Sequence, residues 1–177
     1  MFTSEEELHE NIHRFLSSNL SYNENFMVES EVKGLFGVPD LVLAENHDGS
    51  IKHVIAIELK LFSWKRALMQ AFRYRSFAWE SYVILDEKRS SAAVDNIDSF
   101  KKHNIGLATY DKNGSFKIIH KPRIKQPYSL NLFEKICSVF SGKSSGYNIK
   151  PVRPNRQIGL GCAFQNLPRC NREAIIV

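Results

Sequence analysis

Leu41-Val42-Leu43-Ala44-Glu45-Asn46-His47-Asp48-Gly49-Ser50-Ile51-Lys52-His53-Val54-Ile55-Ala56-Ile57-Glu58-Leu59-Lys60 is two apolar runs with a turn between them. Asp48-Gly49 is a strong tight-turn signal, because both residues tolerate the positive φ that a two-residue hairpin needs. Leu41 to Ala44 is short and apolar. Val54 to Ile57 is a β-branched run that ends in charge at Glu58 and Lys60. The stretch reads as two neighbouring antiparallel strands, the second buried on both faces.

Working outward, Thr3 and Ser4 each have a glutamate three residues on, Glu6 and Glu7, which is the capping-box pattern. Leu8, Ile12, Phe15 and Leu16 then repeat at helical spacing. Asn23-Glu24-Asn25 reads as loop, and Phe26 to Ala44 as strand broken around Gly34 and Gly37. Beyond Lys60, Ser63 is placed to cap a helix over 64–79, with Leu68, Ala71, Phe72, Arg75 and Ala78 or Trp79 along one side. Tyr82 to Leu85 is another buried strand, and 92–102 a helix on Val94, Ile97 and Phe100. Strands over 105–110 and 116–119 flank the turn Asp111-Lys112-Asn113-Gly114. The order is αβββαβ followed by αββ, an α/β domain with a mixed central sheet flanked by helices. The texture changes after His120. Residues 121–127 read as a linker, 130–140 as a short helix, and 141–177 as an extension with little periodicity. The division is therefore a core over 1–120 and a basic C-terminal extension over 121–177.

The composition, 43% hydrophobic and 24% charged over 177 residues, is that of a globular chain. No apolar run reaches the roughly 18–20 residues of a membrane span. The start, Met1-Phe2-Thr3-Ser4-Glu5-Glu6-Glu7, lacks the basic and then apolar pattern of a secretory signal, so a cytoplasmic protein is expected. Cys137, Cys162 and Cys170 form neither a disulfide framework nor a zinc spacing. The net charge of +5 is uneven: residues 1–120 carry 14 Lys+Arg against 17 Asp+Glu, and residues 121–177 carry ten against two. A basic C-terminal third suits a polyanion, most simply nucleic acid, although a solvated tail would look the same.

Chemistry gathers at the two runs quoted first. Residues two apart in a strand share a face, so Glu58 and Lys60 point the same way. Asp40 precedes the first run, and antiparallel pairing brings it beside the end of the second. Two carboxylates side by side repel, and partly buried charge costs stability, so folding alone does not call for this arrangement. A hard divalent cation removes the objection: Asp40, Glu58 and the Leu59 carbonyl could bind Mg²⁺, with water and phosphate in its remaining positions. Lys60 would then orient or deprotonate a water, or steady developing negative charge.

Val38-Pro39-Asp40 and, eighteen residues on, Ile57-Glu58-Leu59-Lys60 resemble the PD-(D/E)xK signature of the restriction-endonuclease-like nucleases. The resemblance covers about residues 4–110 and implies a restriction-endonuclease-like αβββαβ core. The activity implied is a magnesium-dependent hydrolysis of DNA in which Mn²⁺ substitutes. It implies catalytic roles for Asp40, Glu58 and Lys60, and metal ligation by Asp40, Glu58 and Leu59. Gln70, with Tyr74 one turn later, is similar to the accessory glutamine of several subfamilies. Members often carry an outer metal contact on the first helix. Glu5 is the choice here, with Glu6 and Glu7 close rivals. Arg66, Arg73, Tyr74 and Arg75 are the candidate nucleic-acid contacts.

Blander readings stand beside these. Glu58 and Lys60 could be strand-end charges, Gln70 an exposed helix residue, Glu5 a charge favoured by the helix dipole, and the arginines a solvated helix face. The six histidines make no zinc pairing, and there is no phosphate-binding glycine loop, Gly-x-Ser-x-Gly or Rossmann fingerprint. The rival from another class is an inactive nuclease-fold module that binds nucleic acid or a protein partner. A small-molecule phosphate enzyme is the third reading. Endo- or exonucleolytic action, RNA as substrate and a homodimer all stay open.

Overall fold

The computed structural model describes residues 1–20, 25–33 and 35–141. Its elements run α1 (Glu5–Leu20), β1 (Phe26–Ser30), β2 (Leu41–His47), β3 (Ser50–Lys60), α2 (Trp64–Tyr74), β4 (Glu80–Asp86), a 3-10 turn (Glu87–Arg89), α3 (Ser91–Val94), α4 (Ile97–His103), β5 (Gly106–Tyr110), β6 (Phe116–His120) and α5 (Leu130–Ser141). The strands form one sheet in the order β1-β2-β3-β4-β5-β6. The β1–β2, β2–β3 and β5–β6 pairs are antiparallel, and β3–β4 and β4–β5 are parallel. The result is a mixed α/β sheet with helices on both faces.

Strand alternation sorts the core into two layers. Leu41, Leu43, Ile55, Ile57 and Leu59 face the α1 side and pack with Leu8, Ile12, Leu16 and Leu20. Val42, Ala44, Val54 and Ala56 face the other side, against Ala67, Leu68, Ala71 and Tyr74 of α2, Phe100 of α4 and Phe133, Ile136, Cys137 and Phe140 of α5. The hairpin turn forms as its dipeptide requires, with Asp48 and Gly49 at φ 53° and 76° between the paired His47 and Ser50. Ser4 caps α1, its hydroxyl accepting from the Glu7 N–H at 3.0 Å. Glu7 completes a modified capping box by accepting from the Thr3 N–H at 2.7 Å.

Four expectations need correction. Ser63 does not cap α2: it sits at φ 55° and its side chain makes no capping bond. The helix ends at Tyr74, five residues before the expected Trp79, because the Arg75 N–H turns back to Phe72 and Arg73 carbonyls. The helix expected over 92–102 is two, broken at Asp95-Asn96, where the Asn96 amide donates to the Ala92 carbonyl. The core does not stop at residue 120. Helix α5 buries four apolar side chains in it, and Lys125, Tyr128 and Ser129 donate backbone N–H groups to the Trp79, Arg75 and Ser76 carbonyls. Of the expected extension, residues 142–177, with Cys162 and Cys170, lie outside the described residues.

Candidate active site

Register determines where the charges meet. Leu41 pairs with Ile57, so Asp40, one step beyond, comes level with Glu58. The Asp40 Oδ2 accepts from the Leu59 N–H at 2.6 Å. Two further contacts hold the Asp40 backbone: its carbonyl accepts from the Glu31 N–H at 3.1 Å and lies 3.2 Å from His9 Nε2. Glu58 lies on the α2 side of the sheet and is 1% exposed. Its Oε2 accepts from the Tyr74 hydroxyl at 2.6 Å, and its Oε1 lies 3.2 Å from Lys60 Nζ. Lys60 Nζ also donates to Glu5 Oε2 at 3.0 Å, so the lysine bridges a buried and a half-exposed carboxylate.

The electrostatics are those of crowded carboxylates. Burial raises the Asp40 carboxyl above the ordinary aspartate range, against the Leu59 N–H bond and the attraction of Lys60. Burial and then the neighbouring Asp40 raise Glu58 likewise. Burial disfavours the Lys60 ammonium, but Asp40, Glu58 and Glu5 together outweigh it and hold the lysine charged. Burial and the bond to Glu58 keep the Tyr74 phenol protonated, so it remains a donor.

The structure therefore brings Asp40, Glu58, Lys60 and Glu5 together at one end of the sheet. It separates Glu5 from its rivals: Glu7 is taken up by Lys112 and Thr3, which hold its carboxyl down to about 2, whereas Glu5 is the one of the three paired with Lys60. Gln70 lies against the Tyr74 hydroxyl, and its Oε1 is buried without a hydrogen-bond partner among the described residues. Arg66 and Arg73 are exposed on α2.

Two assigned nucleic-acid contacts are elsewhere. Tyr74 is buried under the site, donating to Glu58 and, at 3.0 Å, to the Val38 carbonyl, so it positions the carboxylate and has no free edge for a ligand. Gly37, at φ 106°, passes so close that an added Cβ would lie 2.8 Å from the Tyr74 ring. Arg75 is fully buried. Its Nη1 donates to the Ala78, Trp79 and Lys125 carbonyls, with burial depressing its pKa and Tyr128 and Glu80 partly offsetting this. It joins the end of α2 to the segment before α5. Arg75→Ala should therefore lower stability by about 3 kcal/mol or more, a melting-temperature loss of roughly 6–12 °C for a chain this size. Arg73→Ala, on the exposed face, should melt with the parent, and equal melting of all three proteins would refute the assignment.

Sequence reasoning missed Asp86 and His9. Asp86, fully buried at the end of β4, accepts from the Phe2 N–H at 3.1 Å and so anchors the start of α1, which carries Glu5 to Lys60. Its signal was a carboxylate ending an apolar strand. His9 follows Glu5 by one helical turn, a spacing that is legible only once α1 is known to cross the sheet end.

Among the described residues, no three His, Cys, Asp or Glu side chains converge as a metal-holding group. The available set is two carboxylates and neighbouring amide oxygen. No family model matches the chain, and no curated protein matches it. It is similar to a solved structure of a protein of unknown function from Silicibacter pomeroyi, at 13% identity and a TM-score of 0.50, over 76% of this chain and 86% of the other. That likeness is one of fold.

Proposed function

We propose that this chain is a metal-dependent nuclease of the PD-(D/E)xK kind, hydrolysing phosphodiester bonds of DNA with water on a restriction-endonuclease-like core. The observation that supports it is the placement of Asp40 and Glu58 on adjacent strands with Lys60 Nζ 3.2 Å from Glu58. Both carboxyls are raised by burial, a cost that a divalent cation would relieve. The unpartnered Gln70 Oε1 is a second acceptor at the same place. Two carboxylates and little else suit Mg²⁺ or Mn²⁺, which keep several positions for water and phosphate. Asp40, Glu58 and the Leu59 carbonyl would hold the ion, with Glu5 outside them. The bound ion would supply a water of lowered pKa and neutralise phosphate charge.

The chain's own residues divide the remaining work. Tyr74 fixes the rotamer of Glu58 by donating to it. Lys60, held as an ammonium by three carboxylates, is suited to orienting water and steadying negative charge rather than to accepting a proton. Arg66 and Arg73 are free to meet phosphates. Among the described residues no helix is long and apolar enough to cross a membrane. A cytoplasmic location, RNA as an additional substrate and a homodimer belong to the same reading, as does a role for the basic residues beyond 141 in electrostatic affinity.

The test is a cleavage time course on plasmid and short duplex DNA. Mg²⁺ or Mn²⁺ should support cutting, while Ca²⁺ should bind and support little of it. Undiminished cutting in excess EDTA would sink the metal mechanism. Absence of cutting on every DNA and RNA tried with Mg²⁺ and Mn²⁺ would replace it with the inactive binding module.

A further inference from the structure

The outer face of α1 carries a feature that the catalytic reading does not use. His9, Glu10, His13, Arg14, Ser17 and Ser18 line an open groove of about 720 Å³, closed on its other side by Ser30 at the end of β1. Strand β1 is an edge of the sheet, and Ser30 pairs with Leu41, next to Asp40. Both walls thus lead to the same point: Ser30 through its strand partner, and His9 through its ring nitrogen 3.2 Å from the Asp40 carbonyl. Glu5, His9, His13 and Ser17 follow one another at four-residue spacing and so form one stripe. The stripe begins at Lys60 and runs about 18 Å along α1, roughly five nucleotides of a strand.

The groove's chemistry is that of donors. The His9 and His13 rings stack at 6.3 Å between centroids, which keeps the two imidazoles side by side. Arg14 is exposed and makes no ion pair with any described residue. Three serines border the groove, with the Ser18 hydroxyl donating within the helix to the Arg14 and Phe15 carbonyls, and Glu10 is the opposing charge among the described lining residues. Among the described residues the groove's lining side chains are all polar or charged, which suits a charged backbone better than a greasy peptide.

We infer that this groove carries the phosphodiester backbone of one nucleic-acid strand away from the Asp40–Glu58–Lys60 centre, with Arg14 and His13 as its main contacts. The inference rests on the nuclease reading for its direction, but its test reads binding and needs no turnover. Fluorescein-labelled single strands of four and twelve nucleotides are titrated onto the full chain in Ca²⁺ at several salt concentrations. Arg14→Glu should weaken the twelve-mer at least about tenfold and lower its salt slope by about one, with a smaller loss on the four-mer. Glu10→Gln should tighten the twelve-mer. Both positions are exposed, and thermal melts check that the variants are folded.

If the parent binds and both variants keep its affinity and slope, the groove is not the path, and the nuclease reading stands untouched. If the binding changes appear as stated while the parent cuts nothing in Mg²⁺ or Mn²⁺, the groove is a backbone site and the nuclease reading falls. Failure of the parent to bind either single strand overturns the groove, while the nuclease reading is decided by cleavage of plasmid and duplex DNA.

Discussion

Lys60→Ala should slow DNA cleavage by at least about a hundredfold while leaving affinity for DNA and for the metal largely in place. The lysine is not itself a proposed metal ligand, and its ammonium, 3.2 Å from the Glu58 carboxylate, stands near where negative charge would develop on the scissile phosphate. From the sequence it reads as a rim charge whose removal leaves stability almost unchanged. The structure revises that part. Lys60 is only 16% exposed and links Glu5 to a Glu58 that is 1% exposed, so its loss leaves a buried carboxylate with Tyr74 as its described donor. The variant should accordingly lose about 1–3 kcal/mol in metal-free buffer. Added Mg²⁺ should stabilise it by about as much as it stabilises the parent, because an unchanged metal affinity gives an unchanged ligand-linked stabilisation. Cleavage time courses and melts with and without Mg²⁺ test both halves. A folded Lys60→Ala protein that cuts at the parent's rate would remove Lys60 from the mechanism.

What was legible in the chain follows from which signals are local. The hairpin was readable because Asp48-Gly49 can adopt two positive φ values in succession and the flanking runs alternate between faces. The turn alone would bring Asp40 level with Ile57; a one-residue register shift between Glu45 and Asn46, which no local signal announces, moves it level with Glu58. Helix α1 was readable from Ser4 and Glu7 and from Leu8, Ile12 and Leu16. Its placement was not, because the anchor is the Phe2 N–H on Asp86, a contact across 84 residues. Glu5, Glu6 and Glu7 could not be told apart before that contact was known.

The misreadings share a cause. Arg75 and Tyr74 carry polar atoms on a helix that faces the site, and a helical pattern cannot say whether such atoms meet solvent or buried carbonyls. Arg75 reads as surface because arginine usually is. Here the turn just after it, Ala78-Trp79, and a segment fifty residues on, Lys125, direct carbonyls toward it. Residues 121–127 likewise read as linker because the order of the chain up to Ser129 comes from backbone bonds to Trp79, Arg75 and Ser76, which leave no periodic trace.

Asp40→Asn should abolish most turnover, by at least about a hundredfold, and at neutral pH in metal-free buffer should melt higher than the parent. The amide keeps the carbonyl oxygen that accepts from the Leu59 N–H at 2.6 Å, so the local geometry has a reason to survive. What it removes is a charge that burial opposes and that in turn raises Glu58. Because the Asp40 carboxyl is raised even with Lys60 attracting it, the folded protein holds that proton more tightly than the unfolded chain does. Ionising Asp40 therefore costs stability above its raised folded pKa, and the cost is absent once pH falls below the ordinary aspartate value of 3.8. The melting gap between Asp40→Asn and the parent should be full above the raised folded pKa, close as pH is lowered toward 3.8, and amount to roughly 2–4 °C for each kcal/mol at this chain length. Mg²⁺ should raise the parent's melting point and leave the variant's nearly unchanged. A carboxylate kept for folding would give the reverse: a variant that melts below the parent at neutral pH and gains nothing from acid.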